Sequence, residues 1–306
     1  MPTLLLLVKN KDRADYLRHL DEAHLQDLEI VSEPGPTVEL VFGDTSLIRE
    51  VLPQLPGLIW AQTTWAGVEP LLDPALRRDY ILTNARGVFG ELMSEYVFGY
   101  LLLFERKILQ RLEAQKQSRW EQSLTGSLRG KRIGLLGVGS IGAHLAGTAR
   151  HFGMQVRGYT RQSESCPQVG HYFHGDDLQA FANGLDVLVS VLPNTAETRQ
   201  IVDANLLSGL ADQAVFINAG RGSAVDEGAL CAALEQGRLA CAVLDVFTQE
   251  PLPPEHPLWH TKNVYISSHT AAPSFPADIS RLFIENYQRY LQNLPLLYQV
   301  NFELGY

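Results

Sequence analysis

Three short stretches in the C-terminal half of the chain carry side chains able to do chemistry. "SSHTAA", residues 267–272, sets His269 among small residues just after the apolar run "NVYI". An imidazole changes charge within the physiological pH range and can pass a proton either way. The chain has nine histidines, however, and His269 taken alone reads equally well as a hydrogen-bonded core or surface residue. "LDVFTQEPLPPEHPLW" places Glu250 at the start of a proline-rich turn, where fixed backbone angles can present a carboxylate rigidly. Alone, it is an ordinary loop acid; with His269 one strand later, it has a natural partner. "INAGRGSAVDE" puts Arg221 between two glycines, which leaves space for a ligand beside the guanidinium, although Asp226 or Glu227 could equally pair with it.

These residues need a scaffold that gathers them. From about Arg129 the apolar runs "RIGLLGVG", "MQVRGYT", "LDVLVSVLPN", "AVFINAGRG", "ACAVLDVF" and "NVYISSH" alternate with helical stretches. Near-continuous apolar strands between helices predict a parallel sheet covered on both faces. In such a sheet ligands bind beyond the carboxyl ends of the strands. Gly137, Thr160, Pro193, Arg221, Asp245 and His269 all fall at such ends. Residues 1 to about 90 show a looser alternation, with "TLLLLV", "VELVFG", "LIWAQTT" and "YILTN" as strands and "RADYLRHLDEAHLQDL" as a helix. The segment from about Glu91 to Gln117 reads as one long helix leaving one domain and entering the next. The expected fold is α/β: a Rossmann-type doubly wound parallel sheet over residues 96–273, plus a smaller flavodoxin-like substrate domain built from 1–95 and 274–306.

The run "GLLGVGSIGAHLAG" supplies Gly137-x-Gly139-x-x-Gly142 between a strand and a helix whose one face carries Ile141, Leu145, Ala149 and Phe152. The glycines permit a tight turn and close backbone approach, and the helix start at Ser140, Ile141 and Gly142 offers N–H groups to a pyrophosphate. An acid about 20 residues further on would hold the ribose hydroxyls of NAD. Here "VRGYTRQ" puts Thr160 and Arg161 in that place. A guanidinium fork matches a 2′-phosphate that a carboxylate would repel, so NADP(H) is the expected cofactor, ahead of NAD(H). The plainer alternative is that Arg161 is a solvated loop charge.

Composition narrows the class. The 306 residues are 45% hydrophobic and 19% charged, with a formal net charge of −9. That acidity gives nucleic acid little attraction, so an anionic ligand must be met by placed arginines or helix ends. Cys166, Cys231 and Cys241 form neither a disulfide framework nor a zinc spacing, and no metal site is expected. Cys231 and Cys241 read as small core fillers of a reducing compartment. The longest apolar stretch, "YVFGYLLLF" at 96–104, is well short of the ~20 residues of a membrane span. A cytoplasmic protein is expected.

Taken in order, GxGxxG, "NAGRG", "LDVFxxEPLPP" and "SSHTAA" resemble the D-isomer-specific 2-hydroxyacid dehydrogenases. "LPNTAET", the turn "TQEPLPPEHPLW" and Thr-Arg after the second strand make the chain similar to the glyoxylate/hydroxypyruvate reductases of bacteria. The resemblance is strong from the long helix to about residue 275 and looser before it. It implies His269 as general acid to the substrate carbonyl, Glu250 as the carboxylate that fixes its tautomer, and Arg221 as the grip on a 2-oxo acid's carboxylate. It implies cofactor contacts at Gly137, Gly139, Ser140, Ile141, Gly142, Thr160, Arg161, Leu192, Pro193, Thr198 and Ala219, with Asp245 on the nicotinamide amide. Asp245 also fits a plain capping role, and Asn194 to Glu197 fits a helix capping box. In "AQTTWAGVEPLL", Ala66 and Gly67 would bind the substrate carboxylate through backbone N–H groups. Trp65 stands where a smaller residue is usual and would favour a short acid, or simply pack. Arg86 in "NARGVFG" is a further departure without an assigned role. A homodimer is the implied assembly, with the helix at 91–117 and the "SRWEQ" arm contributing. Two other readings share the fold: an NADH-dependent enzyme for a larger 2-oxo acid, and a nucleotide-sensing corepressor-like interaction protein.

Overall fold

The computed structural model describes all residues from Met1 to Tyr306. In chain order the elements begin with β1 (Thr3–Leu7), α1 (Asn10–Glu22), β2 (Glu29–Val31), β3 (Leu40–Gly43), α2 (Thr45–Val51), β4 (Trp60–Thr63) and β5 (Ile81–Thr83). Two helices follow, α3 (Gly90–Glu105) and α4 (Ile108–Lys116). Then come β6 (Arg132–Leu136), α5 (Ser140–His151), β7 (Gln155–Tyr159), β8 (His171–Phe173), α6 (Leu178–Ala182) and β9 (Val187–Ser190). The remainder is α7 (Ala204–Gly209), β10 (Ala214–Asn218), α8 (Glu227–Glu235), β11 (Leu239–Leu244), β12 (Val264–Ile266) and α9 (Pro276–Leu291). No helix is long and apolar enough to cross a membrane.

The chain divides into two compact units, Met1–Val88 with Ser274–Tyr306, and Phe89–Pro273. In the first, five parallel strands run in the order β2-β1-β3-β4-β5. The returning helix α9 covers this sheet with aromatic rings: Phe283 stacks on Phe42 at 4.5 Å and on Trp60 at 5.2 Å. Asn286, fully buried, donates to Gln62 Oε1 at 3.1 Å and accepts from the Leu297 N–H at 2.7 Å, so its amide is satisfied inside the core.

In the second unit, seven parallel strands run β12-β11-β10-β9-β6-β7-β8. The order reverses at β6, between β9 and β7, which is the switch point of a doubly wound sheet. The central strands are buried along almost their whole length, as their apolar runs require. Cys241 lies in this core, and burial pushes its thiol up to about 12, so it is chemically inert there.

Two expectations need correction. The segment 91–117 is two helices. Lys107 adopts φ +52° and turns its N–H back to the Phe104 carbonyl, which ends α3 before α4 begins. The chain enters the second unit at Phe89 and not at residue 96, because α3 is continuous through that point and buries Val97, Phe98 and Leu101 in the second core. The strands β2 and β8 carry no strong apolar run. Each is a three-residue sheet edge with no fully buried side chain, so burial leaves no pattern to read.

Candidate active site

Arg221, Glu250 and His269 all belong to the second unit and follow β10, β11 and β12, three adjacent parallel strands. His269 Nδ1 meets Glu250 Oε2 at 2.7 Å, and the other carboxylate oxygen accepts the Phe247 N–H at 2.9 Å. Glu250 is thereby anchored to its own loop while one oxygen orients the imidazole. The pairing requires the proton on Nδ1.

The backbone that presents His269 is unusual. Ser268 and His269 both lie in the left-handed region, at φ +54° and +57°, which costs of order 1–3 kcal/mol for each non-glycine residue. Asp245 supplies the compensation. It is buried, its carbonyl accepts the His269 N–H at 2.6 Å, and Oδ1 accepts the Thr270 N–H at 2.7 Å and the Ser267 hydroxyl at 2.7 Å. The Ala271 N–H donates to both carboxylate oxygens at 3.1 Å. Tyr96 on α3 continues the chain of contacts, its hydroxyl lying 2.6 Å from Ser267 Oγ. Burial first, and the Asp245 charge after it, hold the Tyr96 phenol well above its ordinary value, so it stays neutral. Asp245, which the resemblance assigns to the nicotinamide amide, clamps the turn that carries His269.

Near Arg221 in sequence, Asp226 and Glu227 have tasks of their own. Asp226 caps α8 by accepting the Ala229 N–H at 3.0 Å. Glu227 accepts the Thr248 N–H at 3.2 Å and pairs with His256 Nε2 at 3.2 Å. Arg221 itself bonds the Gly220 carbonyl at 2.8 Å, and the buried Asn218 side chain bonds the Arg221 carbonyl at 3.0 Å and the Gly220 N–H at 3.3 Å. Glycines are obligatory on both sides. A Cβ on Gly220 would sit 2.6 Å from Leu192 N, and one on Gly222 would sit 1.8 Å from the Phe247 carbonyl carbon. These contacts lock the arginine loop against the loops that follow β9 and β11.

The glycine loop after β6 has the geometry of a phosphate cradle. Gly137 takes φ +95°, and a Cβ on Gly142 would lie 2.1 Å from the Gly137 carbonyl oxygen. Helix α5 starts at Ser140 with Gly139 as its N-cap, so no side chain caps its first N–H groups. The residues present fit a dinucleotide pyrophosphate. Leu192 and Pro193 flank this loop, and Leu192 Cδ2 is 3.4 Å from the ideal Gly137 Cβ position. The Ala219 N–H bonds the Ser190 carbonyl at 3.0 Å. No helix follows Asn194, so the expected capping box does not form. The Thr198 hydroxyl closes the turn on the Pro193 carbonyl at 2.7 Å, and Asn194 accepts the Ser223 hydroxyl at 2.9 Å.

Arg161 extends from the end of β7, and its NH2 bonds Glu197 Oε2 at 2.7 Å. Beside it, the Thr160 hydroxyl donates to the Ser163 carbonyl at 2.8 Å, and His174 Nδ1 lies 2.9 Å from the Thr160 carbonyl. His174 Nε2 reaches Glu164 at 2.9 Å; that carboxylate, then the Thr160 carbonyl, raises the imidazole above its ordinary value.

In the first unit, the loop after β4 is pinned through its carbonyls. Trp65 O accepts the Thr63 hydroxyl at 2.7 Å and the Ala85 N–H at 3.0 Å, and Ala66 O accepts Asn84 Nδ2 at 2.8 Å. Sequence reasoning passed over Asn218, Ser267, Tyr96, Asn84 and the pairing of Glu197. Only Asn218 carried a signal, as a polar residue closing an apolar strand; the others acquire meaning from partners far along the chain.

Residues 98–271 match a family model described as D-isomer specific 2-hydroxyacid dehydrogenase, NAD binding domain. Glyoxylate/hydroxypyruvate reductase A of Enterobacter sp. (strain 638) is 35% identical over 217 residues, 71% of this chain and 70% of that protein. A crystal structure of a D-isomer specific 2-hydroxyacid dehydrogenase family protein from Aeromonas salmonicida is similar at a TM-score of 0.91 and 40% identity, covering 98% of this chain and 99% of that one. An NADPH-dependent glyoxylate/hydroxypyruvate reductase from Sinorhizobium meliloti, in complex with NADP and sulfate, is similar at a TM-score of 0.90 and 26% identity, covering 100% of both chains. Ordered glycine cradle, strand-end arginine and clamped His–Glu pair therefore sit in a chain that belongs to the D-isomer specific 2-hydroxyacid dehydrogenase family, NAD(P)-dependent oxidoreductases, in its glyoxylate/hydroxypyruvate reductase-like branch.

Proposed function

We propose that the protein reduces a short 2-oxo acid of the glyoxylate or hydroxypyruvate type to the D-2-hydroxy acid, with NADPH. The observation that carries this reading is the 2.7 Å pair of His269 and Glu250, beyond the same parallel sheet that builds the glycine cradle. The bound cofactor supplies the hydride. With Nδ1 held by Glu250, His269 delivers its proton from Nε2 to the substrate carbonyl oxygen and recovers it in the reverse direction. Glu250 holds the Nδ1 side of the ring and keeps it from flipping. Arg221 binds the substrate carboxylate and polarises the ketone, so the carbonyl carbon is oriented for attack. The loop Trp65–Gly67 keeps the role the resemblance implies: N–H groups of Ala66 and Gly67 for the carboxylate, and the Trp65 ring as a limit on substrate length. Arg161 meets the 2′-phosphate of NADPH.

The assembly we propose is a homodimer. The segment after α4 is extended and held down by Arg111, which donates to the carbonyls of Glu121 at 3.1 Å and Ser123 at 2.9 Å. Yet it leaves Trp120 86% and Leu124 89% exposed, and Leu109 and Leu112 on α4 are exposed as well. An ordered arm with apolar tips fits a second copy of this chain.

His269→Gln tests the chemistry. Turnover should fall ~100-fold or more, the usual contribution of a positioned general acid, while NADPH binding stays near its original strength. Near-normal turnover eliminates His269 as proton donor. Assays of glyoxylate, hydroxypyruvate and bulkier 2-oxo acids with NADPH and NADH test the rest: faster reduction of the bulkier acids, or a severalfold preference for NADH, overturns the corresponding assignment.

A further inference from the structure

The Arg161–Glu197 pair occupies a telling place. Arg161 follows β7 and Glu197 lies in the turn after β9, and these strands flank β6 on its two sides. The ion pair therefore joins the loops on either side of the glycine loop, at the switch point of the sheet. Its 2.7 Å contact puts a carboxylate oxygen on the guanidinium edge, the kind of position a phosphate oxygen takes on an arginine fork. Both partners stay open to solvent, Arg161 at 39% and Glu197 at 71%, so the pair is readily parted. The carboxylate is not isolated there. After burial itself, Asp176, Asp177 and Glu197 each push the Tyr159 phenol upward, which marks three negative charges around the end of β7.

We propose that Glu197 is a specificity-determining residue, an internal competitor whose carboxylate occupies the Arg161 guanidinium until a cofactor 2′-phosphate displaces it. The proposal rests on the reading of Arg161 as the 2′-phosphate ligand. A cofactor carrying the phosphate exchanges one anion for another on the guanidinium, so part of the gain is spent in freeing Arg161. A cofactor without the phosphate leaves the pair intact. Glu197 thus lowers the discrimination between NADP and NAD below what Arg161 alone would provide, and keeps NAD(H) usable.

The test is calorimetric titration of NADP⁺ and NAD⁺ into the wild type, Glu197→Gln, Arg161→Ala and the double variant, at one ionic strength. Glu197→Gln should tighten NADP⁺ about 3- to 5-fold, the range of an exposed ion pair, and leave NAD⁺ unchanged. In the Arg161→Ala background, the same change should have no effect on the ratio of the two affinities. If Arg161→Ala abolishes discrimination but Glu197→Gln does not raise it, the competitor role is overturned and the NADPH reading stands. If Glu197→Gln acts equally in both backgrounds, it works as a diffuse repulsive charge, and the competitor role is again overturned. If Arg161→Ala leaves the ratio unchanged, the reading of Arg161 fails and the proposal with it.

Discussion

At the scale of single residues, the candidate site consists of side chains held in place by particular neighbours. His269 is oriented by Glu250, and its strained backbone is held by Asp245 through bonds to residues 267, 269, 270 and 271. The same logic governs His174, where Glu164 contributes most to the raised imidazole value. A tie to protonated His174 is present in full below the ordinary histidine value of ~6.5 and is lost as pH climbs through the higher folded value. An NMR titration should therefore place the His174 midpoint above that of a free histidine, and Glu164→Gln should bring it back down. A midpoint unaffected by Glu164→Gln would show that the pair does not set it.

At the scale of elements, the glycines of the first βα turn are not interchangeable. Gly142→Ala drives a methyl group into the Gly137 carbonyl, so the cradle must open; NADPH binding should weaken ~10-fold or more, equivalent to ~1.4 kcal/mol. Gly147 lies on the same helix with nothing within 4 Å of an added Cβ, and Gly147→Ala should instead stabilise the protein by ~0.5–1 kcal/mol with binding intact. Titration calorimetry and thermal melts on the two variants distinguish a cradle from a merely glycine-rich helix. Equal effects at both positions would refute the cradle. The glycine loop was legible in the sequence because strand, spacing and helix are local. The break at Lys107 was not, since two helices in tandem share one continuous pattern and only the reversed N–H at Lys107 separates them.

At the scale of the whole molecule, the chain enters the second unit at Phe89 and leaves it after Pro273, only a few residues beyond His269. The turn that carries His269 therefore closes the second unit just before the chain returns to the first, where α9 completes the core. The proposed dimer predicts that sedimentation velocity gives twice the mass of the chain, and that the pair Trp120→Glu and Leu124→Glu yields monomers with unaltered thermal melting of the core. Monomeric wild type at micromolar concentration would remove the second copy from the account.

The amino-acid order by itself determined the parallel sheet, the glycine turn between β6 and α5, the candidate trio and the absence of an acid after β7. Those features are written in local patterns: apolar runs, glycine spacing and residues at strand ends. What only the tertiary structure decided is who meets whom. Asp226 and Glu227 are drawn away from Arg221, Asp245 clamps the turn of His269, and Glu197 crosses to Arg161. Each is a choice among several equally available partners, and charge and composition do not make it. Strand order does, because it fixes which loops lie side by side at the carboxyl edge of the sheet.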